Sequence, residues 1–591
     1  MRPFNLSIQR PQAEPWLVAI FLILMTLLVA FGAQGFEHGS VNNFSDQSIQ
    51  LPIIYSYADP ALFTDDFLIA ARDSYVTFFY PAIGFGSRFV SLELLMLGLY
   101  VASVGITVGA IYALAETLFP RRYVGMVAVL LWMAFLPNIG GDFIHSPFVT
   151  HSTFAIALAL WALVMIFRGQ YTGAAVLLGL ITNINAMTSF FVTFMWAFAV
   201  VTNPREWSWR LVRIPIIMFI AALPVLWWRF SLPLVEASLD TFVNIVRMRL
   251  WYAVFPFSIS TILWIGFFGL VLLWLYSFRY GKPQQHNKVL RMILGISILC
   301  TIGTVFSEVI PVEFIIELQL IRSGWLINLL ITFYIANMIR ELLVSRRPRE
   351  AFSAFLLVAL LAAPRIAIEF LPMTHPTPYQ LYVDFDTSWA REYGVMYGAA
   401  LVLLIVLSVW VVWQLIQHKI GPTQPVFTRR VVAWFGFSAV IFALLPGLLE
   451  TEVPSDQMAQ TSAWEETLIW VENNTPKDAR FMAPPTMDGF RTIAQRSHIG
   501  DWKDGTVGIF NNGWAIEWYD LMLDMGFDED RFAFETMTPD RLCYVASKYE
   551  TDYAVVDLSW DITGEPVYQN DQFAVVETDA TTCPERMVKQ P

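Results

Sequence analysis

Residues 92–122 read LELLMLGLYVASVGITVGAIYALAETLFPRR. The run 92–118 is almost wholly apolar and stops just before the basic pair Arg121-Arg122. As a helix rising about 1.5 Å per residue, it reaches across a bilayer core of about 30 Å. Lipid offers backbone groups no partners, so only helices and closed barrels cross it, and a run of this length is a helix. Short cytoplasmic loops carry an excess of Lys and Arg, so Arg121-Arg122 marks the inner end.

The same reading extends in both directions. Toward the N-terminus, Arg2 and Arg10 precede the apolar run Trp16–Ala33, which places the N-terminus in the cytoplasm. That run is long and no small-x-small site follows it, which argues against a cleaved signal peptide. A polar segment, 34–90, then lies outside. Toward the C-terminus, basic clusters at Arg168, Arg205–Arg213, Arg279–Lys282, Arg340–Arg349 and His418–Arg430 alternate with polar or acidic loops. The expected outer loops are 34–90, 138–150, 229–258, 308–322 and 371–394. The run Tyr171–Val201 divides into two shorter helices at Asn183-Ile184-Asn185. Residues 1–450 thus form an α-helical polytopic membrane domain of about thirteen spans. Composition agrees: 56% of the 591 residues are hydrophobic, 15% are charged, and mean hydropathy is +0.54. The expected location is a bacterial inner or plasma membrane.

Residues 451–591 differ. They hold 26 acidic and 10 basic residues, a net charge of −16 against −12 for the whole chain. So acidic a segment excludes nucleic acid as a partner. A helical pattern over Ser462–Asn473 closes at Asn474-Thr475-Pro476. Strand-like runs follow at Arg480–Ala483, Tyr553–Asp557 and Gln572–Glu577, with a helix between Pro539 and Tyr549. This is a small α/β domain on the extracytoplasmic side. There, Cys543 and Cys583 could form a disulfide; the sequence leaves their separation open.

The chemistry-bearing residues cluster in the outer loops. The first loop carries Glu37, Asp46, Asp59, Asp65 and Asp66. A carboxylate at headgroup depth can take a proton from a hydroxyl, or bind a divalent cation beside a lipid diphosphate. Capping and turn roles are the competing explanation. The second loop carries Asp142 and His145, with His151 at the next helix start; these suit a metal or phosphate site, though their spacing matches no strong metal motif. The segment 308–322 holds Glu308, Glu313, Glu317, Gln319 and Arg322. Ionisable groups at membrane depth pair or serve a function. Arg322 can clamp a phosphate, or pair with Glu317. Arg247 and Arg249 offer a second phosphate contact, or snorkel at an aromatic belt. Trp502-Lys503-Asp504-Gly505 and Trp518-Tyr519-Asp520 suit sugar stacking or core packing. No G-x-x-x-x-G-K-[ST], G-x-S-x-G or H-E-x-x-H pattern occurs, so soluble nucleotide-driven chemistry has no support.

This layout resembles the GT-C superfamily of membrane glycosyltransferases, and oligosaccharyltransferase catalytic subunits most closely in topology. Asn43-Phe44-Ser45-Asp46…Leu51-Pro52, Asp59-Pro60-Ala61-Leu62-Phe63…Asp66, Leu318-Gln319-Leu320-Ile321-Arg322, Trp470-Val471…Asn474-Thr475-Pro476 and Asp552-Tyr553-Ala554-Val555-Val556 resemble an uncharacterised bacterial branch of it. The W-W-D-Y-G motif of oligosaccharyltransferases is absent, and Trp518-Tyr519-Asp520 is its nearest echo. The resemblance implies inverting transfer of one sugar from a polyprenyl-phosphate donor to an acceptor hydroxyl. Asp46 would be the base, with Glu37 or Asp66 as second choices. Arg322, Gln319, Arg249, His145 and Asp142 would bind substrate, and Mg²⁺ or Mn²⁺ could sit at Asp46 or Asp142. Two other functions fit the same topology: a lipid or solute transporter or flippase, and a non-catalytic assembly partner with the GT-C fold.

Overall fold

A computed structural model describes residues 14–31, 46–134, 140, 146, 148–232, 238–259, 261–344, 455–529, 531, 533–560, 565–578 and 583. The last three expected spans and the loop 371–394 lie outside the described residues, as do Glu37, Asp142 and His145. Four described helices are long and apolar enough to cross a membrane: Leu92–Leu118, Leu211–Ser231, His286–Val309 and Leu320–Val344. Shorter apolar helices accompany them at Pro15–Phe31, His151–Phe167, Tyr171–Thr182, Ala186–Val201 and Phe267–Tyr280. Large apolar side chains such as Ile23, Leu94, Phe219, Phe230, Phe268 and Leu272 point away from the protein. In water that surface would be a liability; against lipid chains it is the expected exterior. The chain is a helical membrane protein.

Two local contacts show how the bundle tolerates polar and broken backbone. The helix Trp209–Ser231 contains Pro224, which interrupts its hydrogen-bond ladder. Asn183, in the break between the helices Tyr171–Thr182 and Ala186–Val201, repairs the gap. Its Nδ2 donates to the Ala221 carbonyl at 2.8 Å, and its Oδ1 accepts from the Val225 amide at 3.2 Å. One turn away, a Cβ on Gly179 would sit 2.6 Å from the Ala221 Cβ and 2.7 Å from the Met218 carbonyl oxygen. Only glycine allows the two helices this approach.

The bundle has two chemically different ends. At one, Arg121 donates to the Tyr280 carbonyl at 3.2 Å and pairs with Glu341, while Arg340 donates to the Arg122 carbonyl at 3.0 Å. Gln285 reaches the Phe167 carbonyl at 2.7 Å. The basic segments read as inner loops are therefore neighbours. The other end carries the first-loop helices Gln47–Ala58 and Phe79–Gly86, the helix Leu239–Val254, the short helix Glu313–Glu317, and the C-terminal domain.

The C-terminal domain is built on a five-stranded sheet ordered β2-β1-β5-β7-β6, where β1 is Arg480–Met482, β2 Ser497–His498, β5 Tyr553–Asp557, β6 Tyr568–Gln569 and β7 Phe573–Glu577. β1 runs parallel to β2 and β5, while β7 runs antiparallel to β5 and β6. The helix Ser455–Asn474 covers one face through Trp464, Leu468 and Val471, packed with Phe481, Val555 and Phe573. A two-stranded ribbon, β3 (Phe527–Asp528) with β4 (Ala533–Phe534), stands apart. A Cys543–Cys583 disulfide ties the chain near its C-terminal end to the helix Pro539–Lys548.

Replacing Asn183 by alanine strands the Ala221 carbonyl and the Val225 amide in an apolar setting. The expected loss is about 1–3 kcal/mol, read as a lower unfolding midpoint in detergent, with Asn183→Gln recovering part of it.

Candidate functional site

The first outer loop and the C-terminal domain meet around one side chain. Arg491 lies in an otherwise apolar short helix, Phe490–Ala494, and is 2% exposed. Its Nε donates to Asp66 Oδ2 at 2.6 Å, and its Nη1 and Nη2 donate to Asp504 at 3.0 and 2.8 Å. Asp501 Oδ2 is 3.5 Å from Nη1. Burial works against the charge of Arg491, but Asp504, Asp66 and Asp501 outweigh it and hold the guanidinium protonated. Asp66 is occupied on both oxygens: Oδ1 caps the helix Phe67–Ala70 through the Ile69 amide, and Oδ2 also accepts from the His498 amide at 2.8 Å. Phe67 packs on Trp514 at 4.8 Å and Asn511 donates to Ser74 Oγ at 3.0 Å, which extends the seam.

Asp46 sits beside this seam in a different environment. It precedes the helix Gln47–Ala58 but makes no side-chain capping bond, and its side chain is 52% exposed. Its Oδ1 is 3.3 Å from the Lys503 ammonium. Burial opposes the charge on Lys503; Asp46, Tyr252 and Asp488 overcome that and raise its pKa. The phenol of Tyr75 is pushed up by burial and further by Asp46, with Arg322 acting in the opposite sense. Asp46 and Arg322, 276 residues apart in sequence, are thus both electrostatic neighbours of the half-buried Tyr75. Tyr75 also packs edge-on against Tyr80 and His151, and the Tyr80 hydroxyl is 2.7 Å from His151 Nδ1.

Arg322 is positioned by its neighbours. Gln319 adopts a left-handed backbone, φ 46°, and its Oε1 accepts from Arg322 Nη1 at 2.7 Å. A non-glycine residue pays for that conformation, and such strain persists only where packing imposes it. From the second outer loop, Gly140 at φ 114° presses on the Arg322 backbone, where a Cβ would lie 2.9 Å from Arg322 Cα. Glu317 pairs with Arg229 at 3.8 Å rather than with Arg322. Glu308 takes Arg247 at 3.0 Å and the Phe257 amide at 2.8 Å. Arg249 donates to Thr506 Oγ1 at 3.2 Å and stacks 4.8 Å above the Trp502 ring. Burial lowers its pKa.

Of the residues expected from sequence, the structure brings Asp46, Arg322, Gln319 and Arg249 to this end and assigns Asp66 a different post, inside the Arg491 network. Glu37, Asp142 and His145 lie outside the described residues. Arg491, Asp488, Asp501 and His498 went unnoticed in the sequence. A lone Arg in the apolar stretch Phe490-Arg491-Thr492-Ile493-Ala494 was the available signal. Burial, with Arg491 and Arg480 nearby, holds His498 neutral. Among the described residues no group of three or more His, Cys, Asp or Glu side chains is disposed to hold a metal ion. Asp46 faces the Lys503 ammonium, and Asp142, the other residue expected at a Mg²⁺ or Mn²⁺ site, lies outside the described residues.

Comparison with known proteins adds little. Residues 462–525 match a family model described as a domain of unknown function, DUF6798. No curated protein matches. Two solved structures of the Archaeoglobus fulgidus oligosaccharyltransferase are similar. One, tethered to an acceptor peptide, is 12% identical with TM-score 0.29 over 92% of this chain and 69% of that one. The other, with Zn and sulfate, is 12% identical with TM-score 0.27 over 91% and 68%. Superpositions this loose carry no argument about fold or activity.

Burial, opposed by Lys503 and Arg249, pushes the Asp488 carboxyl up to about 6. A raised carboxyl binds more protons folded than unfolded, so its contribution falls as pH rises from about 4 to about 6. Asp488→Asn should therefore raise the unfolding midpoint at pH 7.5, by the equivalent of roughly 1–3 kcal/mol. The gain should shrink as pH falls through that window, a trend that thermal scans at several pH values read directly.

Proposed function

We propose that this protein transfers a sugar from a polyprenyl-phosphate donor to an acceptor hydroxyl on the extracytoplasmic face, with inversion. The observation that carries this reading is the position of Asp46 and Arg322 at the same end of the bundle, on separate elements. The Asp46 carboxylate is free of capping duty and half exposed, and the Arg322 guanidinium is held by Gln319, whose backbone is left-handed. The disulfide in the C-terminal domain suits an oxidising compartment, which supports the reading that this domain lies outside and the basic end of the bundle in the cytoplasm.

In this reading Asp46 takes the proton of the acceptor hydroxyl as its oxygen attacks the anomeric carbon. The new C–O bond forms opposite the leaving oxygen, and the bond to the lipid phosphate breaks. Arg322 matches the departing phosphate with a planar fork of donors and stabilises the charge that develops on it. Lys503, 3.3 Å from Asp46 Oδ1, holds that carboxylate in place. Gln319 and Gly140 position Arg322 from either side. Asp66 acts only through Arg491, as a positioning residue.

The test uses purified full-length protein with short-chain polyprenyl-phosphate sugars. One sugar lipid should raise the unfolding midpoint, because a ligand that binds only the folded state stabilises it. Arg322→Ala should abolish that shift. Asp46→Asn should retain it while lowering transfer at least ~100-fold, the scale of lost general-base catalysis. No stabilisation across a broad donor panel, or undiminished transfer in Asp46→Asn, would overturn the proposal and favour transport or assembly.

A further inference from the structure

Two spans end at one short helix. The helices Leu211–Ser231 and His286–Val309 are both long and apolar enough to cross a membrane. Arg229, in the last turn of the first, pairs at 3.8 Å with Glu317 of the short helix Glu313–Glu317. The second closes in a single π-helical turn, Val305–Val309, where the Ile310 amide donates to the Val305 carbonyl at 3.0 Å. The Val312 amide then donates to the Phe306 carbonyl at 3.0 Å and folds the chain back on the end of the span. A helix that begins where two spans stop stands at the depth of the lipid headgroups.

The short helix has two faces. Ile316 is buried in one apolar cluster with Phe242, Val246 and Ile509, and Glu313 accepts a hydrogen bond from Asn512 of the C-terminal domain. Phe314, two residues before Ile316, is 65% exposed, and Phe257, Val309 and Ile310 are 59–74% exposed. One buried carboxylate gathers these groups. Glu308 accepts from the Phe257 amide at 2.8 Å and from Arg247 at 3.0 Å, so both oxygens are engaged and its charge is matched, as a carboxylate beside lipid requires. The exposed stripe of the span, Leu294, Ile298, Val305 and Val309 at helical spacing, runs straight into the patch. That stripe faces lipid along the span, and the patch continues it. The half-exposed guanidiniums of Arg229 and Arg247 flank the apolar groups. Arginines beside aromatic rings suit a boundary of lipid phosphates above acyl chains.

We infer that Phe257, Val309, Ile310 and Phe314 form a wedge inserted into the lipid leaflet at this end of the bundle, and that the helix Glu313–Glu317 thereby moors the C-terminal domain to the bilayer surface. The occupant of the patch is the membrane itself, because the patch is continuous with the lipid-facing stripe of a span and is edged by cations. Glu308 is the positioning residue. It holds Phe257 in the wedge and, through Arg247, ties the helix Leu239–Val254 to the end of the span. The wedge stands whether or not the protein transfers a sugar.

The experiment is spin-label EPR on full-length protein in phospholipid nanodiscs. Cys300→Ser removes the one cysteine outside the disulfide. Phe257→Cys, Ile310→Cys and Phe314→Cys, made singly in that background, carry the nitroxide at positions that are already exposed, so the label displaces no packing. Val567→Cys, at an exposed apolar residue of the C-terminal domain, is the reference. At the three wedge positions collisions with oxygen should exceed collisions with a water-soluble nickel chelate, the pattern of a label in lipid. At 567 the nickel chelate should dominate. In Glu308→Ala the label at 257 should shift toward the nickel-dominated pattern while the label at 310 keeps its oxygen preference. Nickel-dominated relaxation at 257 and 314 would put the patch in water and overturn the inference. Shielding from both reagents would show that protein covers the patch, and would overturn it equally. An unchanged pattern at 257 in Glu308→Ala would remove Glu308 from its positioning role.

Discussion

One guanidinium in a dry interface organises the outer end of this protein. Arg491 joins Asp66, 425 residues away, to Asp501 and Asp504 on its own domain. Such a network is weak evidence for stability, because desolvating the ions offsets most of the attraction. It is strong evidence for register. Any other docking of the first loop on the C-terminal domain would leave Arg491 or Asp66 buried without its partner, which costs several kcal/mol. The interaction therefore selects one arrangement of two segments that the chain would otherwise leave free to shift.

The rest of the outer end inherits its geometry from that choice. With Asp66 fixed, the helix Gln47–Ala58 is fixed, and Asp46 at its start lies against Lys503. With Asp504 fixed, the turn 503–510 presents Lys503 and Thr506, and Thr506 in turn holds Arg249. Asp46 and Arg322 are then electrostatic neighbours of Tyr75 from separate elements. In the proposed reaction loop and domain are jointly required: the proposed base comes from one, its counter-ion from the other, and the guanidinium proposed for the phosphate from a third segment.

Parts of this were legible in the sequence because they depend on local, one-dimensional signals. The long apolar run at Leu92–Leu118, the break at Asn183–Asn185, and the runs that form β1, β5 and β7 depend on residues close together. The helix expected between Pro539 and Tyr549 is present as Pro539–Lys548, with Thr538 accepting from the Arg541 amide at 3.3 Å. The Ser455–Asn474 helix begins earlier than its apolar pattern, because its first turns carry little hydrophobic signal. β2 and β6 have two residues each and no periodicity to read. The site was harder still. Asp46 and Arg322 could be singled out as costly ions near the membrane surface, but not brought together. Asp66 stood as a second-choice base behind Asp46, because composition cannot distinguish a carboxylate enclosed by Arg491 from one facing solvent. Asp488 drew no reading from the sequence, and only its unpaired oxygen in the folded chain marks it out.

The central claim is that Arg491 docks the first outer loop and the C-terminal domain as one unit. Hydrogen exchange on full-length protein, comparing wild type with Arg491→Met, tests it most directly. The account predicts faster exchange together at 66–80 and at 498–515, with a stability loss of about 3–5 kcal/mol. Faster exchange confined to residues around 491, with 66–80 unchanged, would show that the loop is held by something else and would contradict the account.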